Sequence, residues 1–136
     1  MNLFNIHNAL EQKKERSWDK IIVCVDIHGT ILKPNYEGLA HEFYPQAKGT
    51  LMYLSRREDI ELVLYTCSTQ KDINKYLELF ESFDIHFDYV NKSSVSTSEF
   101  ACFDDKPYFN VLLDDKAGFE GESDWTKVYS CFKYNQ

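Results

Sequence analysis

The sequence predicts an α/β domain, a three-layer Rossmann-like fold around a central, mostly parallel sheet. Two observations carry that prediction. Residues 20–25, 60–65 and 109–113 are short, nearly continuous apolar runs, the composition of strands covered on both faces. Between them lie segments whose apolar residues recur at helical spacing, so strand and helix alternate along the chain.

Taken in order, residues 2–16 carry Leu3, Ile6 and Leu10 as a weak helical stripe ending in the charged run Lys13-Lys14-Glu15-Arg16. Residues 1–17 thus read as an N-terminal helical extension on a single domain spanning 1–136. The first strand follows and runs into Asp26. Residues 44–57 then set Ala47, Leu51 and Leu54 on one face, behind Pro45 near the helix start. The second strand runs into Thr66. Residues 70–83 form the next helix, with Ile73, Leu77 and Phe80 on its face and Tyr76 and Leu79 widening the stripe. A short strand over 87–90 comes next, and the last strand ends at Asp114-Asp115. Trp125, Val128, Tyr129 and Phe132 mark a final helix that Ser123 or Asp124 could cap.

Composition bounds the function. The 136 residues suit one core, and 43% hydrophobic residues are enough to build it. The formal net charge of −7 argues against bulk nucleic-acid binding, which rests on cationic neutralisation of phosphates, and against an anionic membrane surface. Cys24, Cys67, Cys102 and Cys131 are scattered, with no CxxC pair, so neither a zinc ribbon nor a disulfide scaffold is expected. No apolar run has the roughly 20 residues that span a bilayer, and the first residues lack the apolar core of a signal peptide. These features predict a reduced, cytoplasmic protein.

In an open parallel sheet, ligands bind outside the carboxyl ends of the strands. Asp26, Thr66 and Asp114-Asp115 all fall there, with Lys106 just upstream of the last strand. Carboxylates gathered at one sheet edge repel one another unless a cation intervenes, and oxygen-only ligands favour Mg²⁺. A lysine supplies further positive charge for a phosphoryl group, and Ser68 and Thr69, opening the next helix, could present N–H groups to an anion. These are the ingredients of phosphoryl transfer.

Asp26-Ile-His-Gly-Thr-Ile-Leu32 resembles the first motif of the haloacid dehalogenase superfamily, an apolar strand followed by Asp-x-Asp-Gly-Thr-Leu. Leu62-Val-Leu-Tyr-Thr66 is similar to the second motif, Lys106 stands where the third motif's lysine belongs, and Val111-Leu-Leu-Asp-Asp115 resembles the fourth. The resemblance covers residues 20–120. It implies an Mg²⁺-dependent phosphohydrolase in which Asp26 forms an aspartyl-phosphate. Thr66 would bond a phosphoryl oxygen and Lys106 would neutralise charge. Asp26, Asp114, Asp115 and the His28 backbone carbonyl would hold the metal. Gly29 and Thr30 would shape the turn, with Cys67 and Ser68 beside the substrate.

The sequence departs from the family at His28, where its phosphatases carry a second aspartate as general acid and base. Histidine is itself a competent acid–base near neutral pH, so His28 is the expected catalytic acid. The alternative is a weak or inactive phosphate-binding or interaction protein.

Family members acting on small molecules carry a cap inserted after the first motif or between the second and third. The gaps 33–61 and 67–105 have no room for one, which by resemblance implies a capless member with an open site. The expected partner is a phosphorylated substrate, either a small molecule or a macromolecular end. Residues 92–98 are a candidate flap or an ordinary polar loop. A receiver-type phosphoacceptor would have its acidic pair first in the chain, whereas here the pair comes last. No Arg-His-Gly motif marks a histidine phosphatase.

Overall fold

A computed structural model describes residues 3–103 and 106–135. Met1 and Asn2 of the expected N-terminal extension lie outside the described residues. Four parallel strands, β1 (Ile21–Val25), β2 (Ile60–Leu64), β3 (Tyr89–Val90) and β4 (Val111–Leu113), form one sheet in the order β3-β2-β1-β4. The chain winds outward from β1 to β3 and returns to the opposite side of β1. The strand order therefore reverses between β1 and β4, at whose carboxyl ends such sheets bind ligands.

All residues of β1 and β2 are buried, which explains their unbroken apolar runs. Alternate side chains serve different faces. Ile21, Val23 and Val25, with Ile60, Leu62, Leu64, Val111 and Leu113, enter the main core. That core is completed by α1 (Ile6–Glu15), α2 (Ala47–Ser55), α3 (Gln70–Ser82) and α4 (Trp125–Tyr134). Phe80, Trp125 and Phe132 are its largest fully buried side chains, and burying a side chain of this kind stabilises by about 1.5–3 kcal/mol. The extension helix α1 contributes Ile6, Ala9 and Leu10 to the same core.

The second face of the sheet carries Ile22, Cys24 and Val63, with Tyr65, Tyr89, Tyr108, Phe109 and Leu112 packed against them. Its covering layer is the connection from β3 to β4, in which the described residues form no helix. Two stretches of coil with α2 or α3 fill the gaps where a cap would stand. Among the described residues no further domain is inserted.

Several edge rungs are made by side chains. Asn110 donates its amide N–H to the Ile22 carbonyl (2.9 Å), and its side-chain oxygen accepts the Ile22 N–H (2.8 Å). Asp88 does the same with Leu62, at 2.8 and 2.9 Å. Both residues precede the short edge strands β4 and β3, so pairing extends beyond the formal strand limits.

Candidate active site

The turn after β1 is built around Ile27 and Gly29. Ile31 and Leu32 both donate to the Ile27 carbonyl, at 2.9 and 3.0 Å, and Gly29 donates to the Leu32 carbonyl at 2.9 Å. Gly29 has φ +78°, a left-handed conformation that penalises any side chain. A Cβ there would also stand 2.5 Å from Asp115 Oδ2. Glycine is thus required twice, by the backbone and by the approach of an acidic side chain.

Asp26 extends the β1 ladder by donating its amide to the Leu113 carbonyl (3.0 Å), which ties the end of β1 to the end of β4. Thr30 is fully buried below it. The Thr30 hydroxyl accepts the Asp115 amide at 3.0 Å and stands 3.5 Å from Asp26 Oδ2. The Trp125 indole N–H donates to the Thr30 carbonyl at 2.8 Å, so α4 braces the turn from within the core. Asp114 caps the 3-10 turn Asp115–Ala117 by accepting the Lys116 amide at 2.9 Å.

Carboxylate oxygens of Asp26, Asp114 and Asp115 lie within 4.8 Å of one another. Burial pushes the Asp26 carboxyl up to about 7, with the neighbouring charges of Asp114 and Asp115 adding to the effect. Burial also raises Asp114, as does Asp115 beside it, while Lys116 opposes the rise. Three such groups together are an unfavourable arrangement for the isolated chain and a favourable one for a hard cation. The donor set is oxygen only and fits Mg²⁺.

A cavity of about 330 Å³ opens beside this cluster, with Asp26, Tyr65, Thr66, Asn91, Asp114 and Lys116 on its wall. Cys67 and Pro107 complete the lining. Thr66 and Asn91 are locked together: the Thr66 amide donates to Asn91 Oδ1 and Asn91 Nδ2 donates to the Thr66 carbonyl, each at 2.8 Å. The Thr66 hydroxyl accepts the Ser68 amide at 3.2 Å and pairs with the Ser68 hydroxyl at 3.0 Å. Ser68 supports Thr66 in this way and is not on the cavity wall. Thr69 caps α3 by accepting the Asp72 amide.

Besides Ser68, the expected residues Lys106 and His28 are off the cavity wall. Lys106 is exposed and does not line this cavity; buried Pro107 takes the wall at that point, and the lysine facing the space is Lys116. His28 is also absent from the lining. Its Nε2 lies 2.8 Å from the Tyr76 hydroxyl of α3, edge-on to that ring. The Tyr76 oxygen also accepts the Ala40 amide at 3.2 Å.

Asn91 and Lys116 are contributions the sequence reading missed. Asn91 directly follows β3, the same strand-end position that singles out Asp26 and Thr66. Lys116 immediately follows the acidic pair.

No protein-family model matches the chain, and no curated protein matches it. A solved structure of a conserved protein from Bacteroides thetaiotaomicron is similar in fold, with a TM-score of 0.68 and 24% identity over 86% of this chain and 93% of that one. At that identity the likeness establishes the α/β fold alone.

Proposed function

We propose that the chain is a divalent-cation-dependent phosphomonoesterase with Asp26 as nucleophile. The observation that carries this reading is the convergence of Asp26, Asp114 and Asp115 where the strand order reverses, beside a cavity lined by Thr66 and Lys116. Asp26, Asp114, Asp115 and the His28 carbonyl would hold Mg²⁺, which when bound neutralises the carboxylates and a phosphoryl oxygen.

A carboxylate oxygen of Asp26 attacks phosphorus, and the bond from phosphorus to the ester oxygen breaks. The Thr66 hydroxyl and the Lys116 ammonium steady the phosphoryl oxygens. The departing oxygen takes a proton from the imidazolium form of His28, whose ring is held through Nε2 by the Tyr76 oxygen. Water then gives a proton to the neutral His28 as it attacks phosphorus, and the electrons of the phosphorus–oxygen bond return to Asp26.

A second reading is a phosphate-binding protein without turnover. The hydrogen bond of His28 to Tyr76, which holds the ring off the cavity wall, favours it. Phosphate release from p-nitrophenyl phosphate and phosphorylated oligonucleotides, with Mg²⁺ or with EDTA, separates the two. Mg²⁺-dependent release lost in Asp26→Asn supports the esterase, whereas phosphate binding with no release supports the second reading.

A further inference from the structure

A cavity of about 760 Å³ opens on the other face of the sheet, under the connection from β3 to β4. Its floor is Ile22 and Glu61, cross-strand partners on β1 and β2, and its walls include Trp18, Tyr89, Phe103 and Tyr108. It begins at the amino end of β1. Asp26 follows the carboxyl end, about 13 Å from Ile22 at ~3.3 Å per strand residue. The cavity is therefore distinct from the one beside Asp26.

Glu61 is unexpected there. It sits within a strand otherwise made of Ile, Leu and Val, and only 2% of it is exposed. Burying an ionised carboxylate is costly unless hydrogen bonds and a cation offset the lost hydration. The Ser94 amide donates to Oε2 at 2.9 Å, a neutral partner. Among the described residues no cationic side chain forms an ion pair with Glu61, although Arg16 lies 5.5 Å over the Trp18 ring and Lys92 5.8 Å over the Tyr89 ring. Asp19 and Asp88 add negative charge, Lys20 is exposed, and the His86 ring is engaged by Glu81 at 2.8 Å.

We propose that this cavity binds a small planar nitrogenous cation: an amidinium, a guanidinium or a protonated heteroaromatic amine. Its planar face stacks on the aromatic walls and its N–H groups pair with Glu61. Aromatic faces attract cations, and a planar donor pair matches a carboxylate. The volume lies within the usual range for small-molecule sites. The proposal is independent of the phosphatase reading.

Calorimetric titration of the full chain with benzamidine, and with neutral benzamide as its isostere, tests it. Benzamidine is expected to bind saturably and benzamide at least about tenfold more weakly, the scale of a charge-assisted pair. Glu61→Gln keeps an acceptor for the Ser94 amide and is expected to weaken benzamidine about tenfold or more. Trp18 lines the cavity while Trp125 is fully buried, so binding is expected to alter indole emission in the wild type and not in Trp18→Phe. Asp26→Asn is expected to bind benzamidine as the wild type does, which keeps failure here separable from failure of the esterase reading. No saturable benzamidine binding, equal binding of benzamide, or undiminished binding by folded Glu61→Gln would overturn the proposal. Should Glu61→Gln not fold, the benzamide comparison and the Trp18 signal decide it in the native chain.

Discussion

Replacing Asp26 with Asn should stabilise the metal-free protein at alkaline pH. Folding moves this carboxyl from an ordinary 3.8 to about 7, chiefly through burial and then through Asp114 and Asp115. Below the unfolded value both states hold the proton and the group has no effect. Between the two values the native state keeps a proton that the unfolded chain releases, so stability falls as pH rises. Above the folded value the loss is complete. Taken in full, the shift corresponds to ~4 kcal/mol. Asp26 is partly solvated, and halving the figure for screening leaves ~2 kcal/mol. Asparagine carries no charge at any pH and removes that slope. For a chain of this size the difference is about 6–10 °C in Tm. Thermal unfolding in EDTA from pH 4 to pH 8 measures it, with the gap between variant and wild type opening as pH rises. A gap that is the same at both ends, or a variant less stable at pH 8, would refute the reasoning. Adding Mg²⁺ should raise the Tm of the wild type more than that of the variant, because binding to the native state stabilises it.

Gly29→Ala should cost about 1–3 kcal/mol in denaturant unfolding, from positive φ and the clash with Asp115, and should weaken Mg²⁺ binding. Lys116→Met should lower kcat/KM about tenfold or more, through loss of charge at the phosphoryl group, while Lys106→Met stays within about threefold; the reverse ranking would return the cationic role to Lys106. His28→Ala should slow alkyl phosphates about 100-fold and p-nitrophenyl phosphate far less, because only the poorer leaving group needs the proton. Tyr76→Phe should reproduce that split in weaker form, since it frees His28 Nε2 without removing the ring; equal loss on both esters would remove the acid role. Trp125→Phe should cost about 1–3 kcal/mol by leaving the buried Thr30 carbonyl without its donor, read as a lower unfolding midpoint.

The core strands were legible because their physics is local. Burial on both faces turns β1 and β2 into continuous apolar runs, and the polar residues at their carboxyl ends mark the edge of the sheet where the candidate site lies. Asp26, Asp114, Asp115 and Thr66 were readable for that reason. The edge strands were harder to delimit. Asn110 and Asp88 use side-chain oxygens to pair with the neighbouring strand, so the apolar pattern and the backbone ladder begin at different residues. The helix expected over 44–57 starts only at Ala47, because Gln46 has left-handed backbone angles, φ 66°.

The side-chain partners at the site were not legible. Nothing in the spacing of His28 and Tyr76, 48 residues apart, announces their hydrogen bond. Lys106 matched a motif position, yet it is exposed while buried Pro107 lines the cavity, and sequence order does not announce which of the two faces it. Glu61 was hidden differently: in an apolar run it reads as an interruption, and only the sheet face it occupies reveals a carboxylate at the floor of a cavity.

The central claim is that Asp26 carries the phosphoryl group. Quenching a turning-over mixture of protein, Mg²⁺ and p-nitrophenyl phosphate with borohydride would reduce an aspartyl-phosphate to homoserine, which peptide mass spectrometry locates. Homoserine is expected at position 26, absent with EDTA and absent in Asp26→Asn, which releases no phosphate. Mg²⁺-dependent turnover with residue 26 unmodified, or wild-type phosphate release by Asp26→Asn, would contradict it.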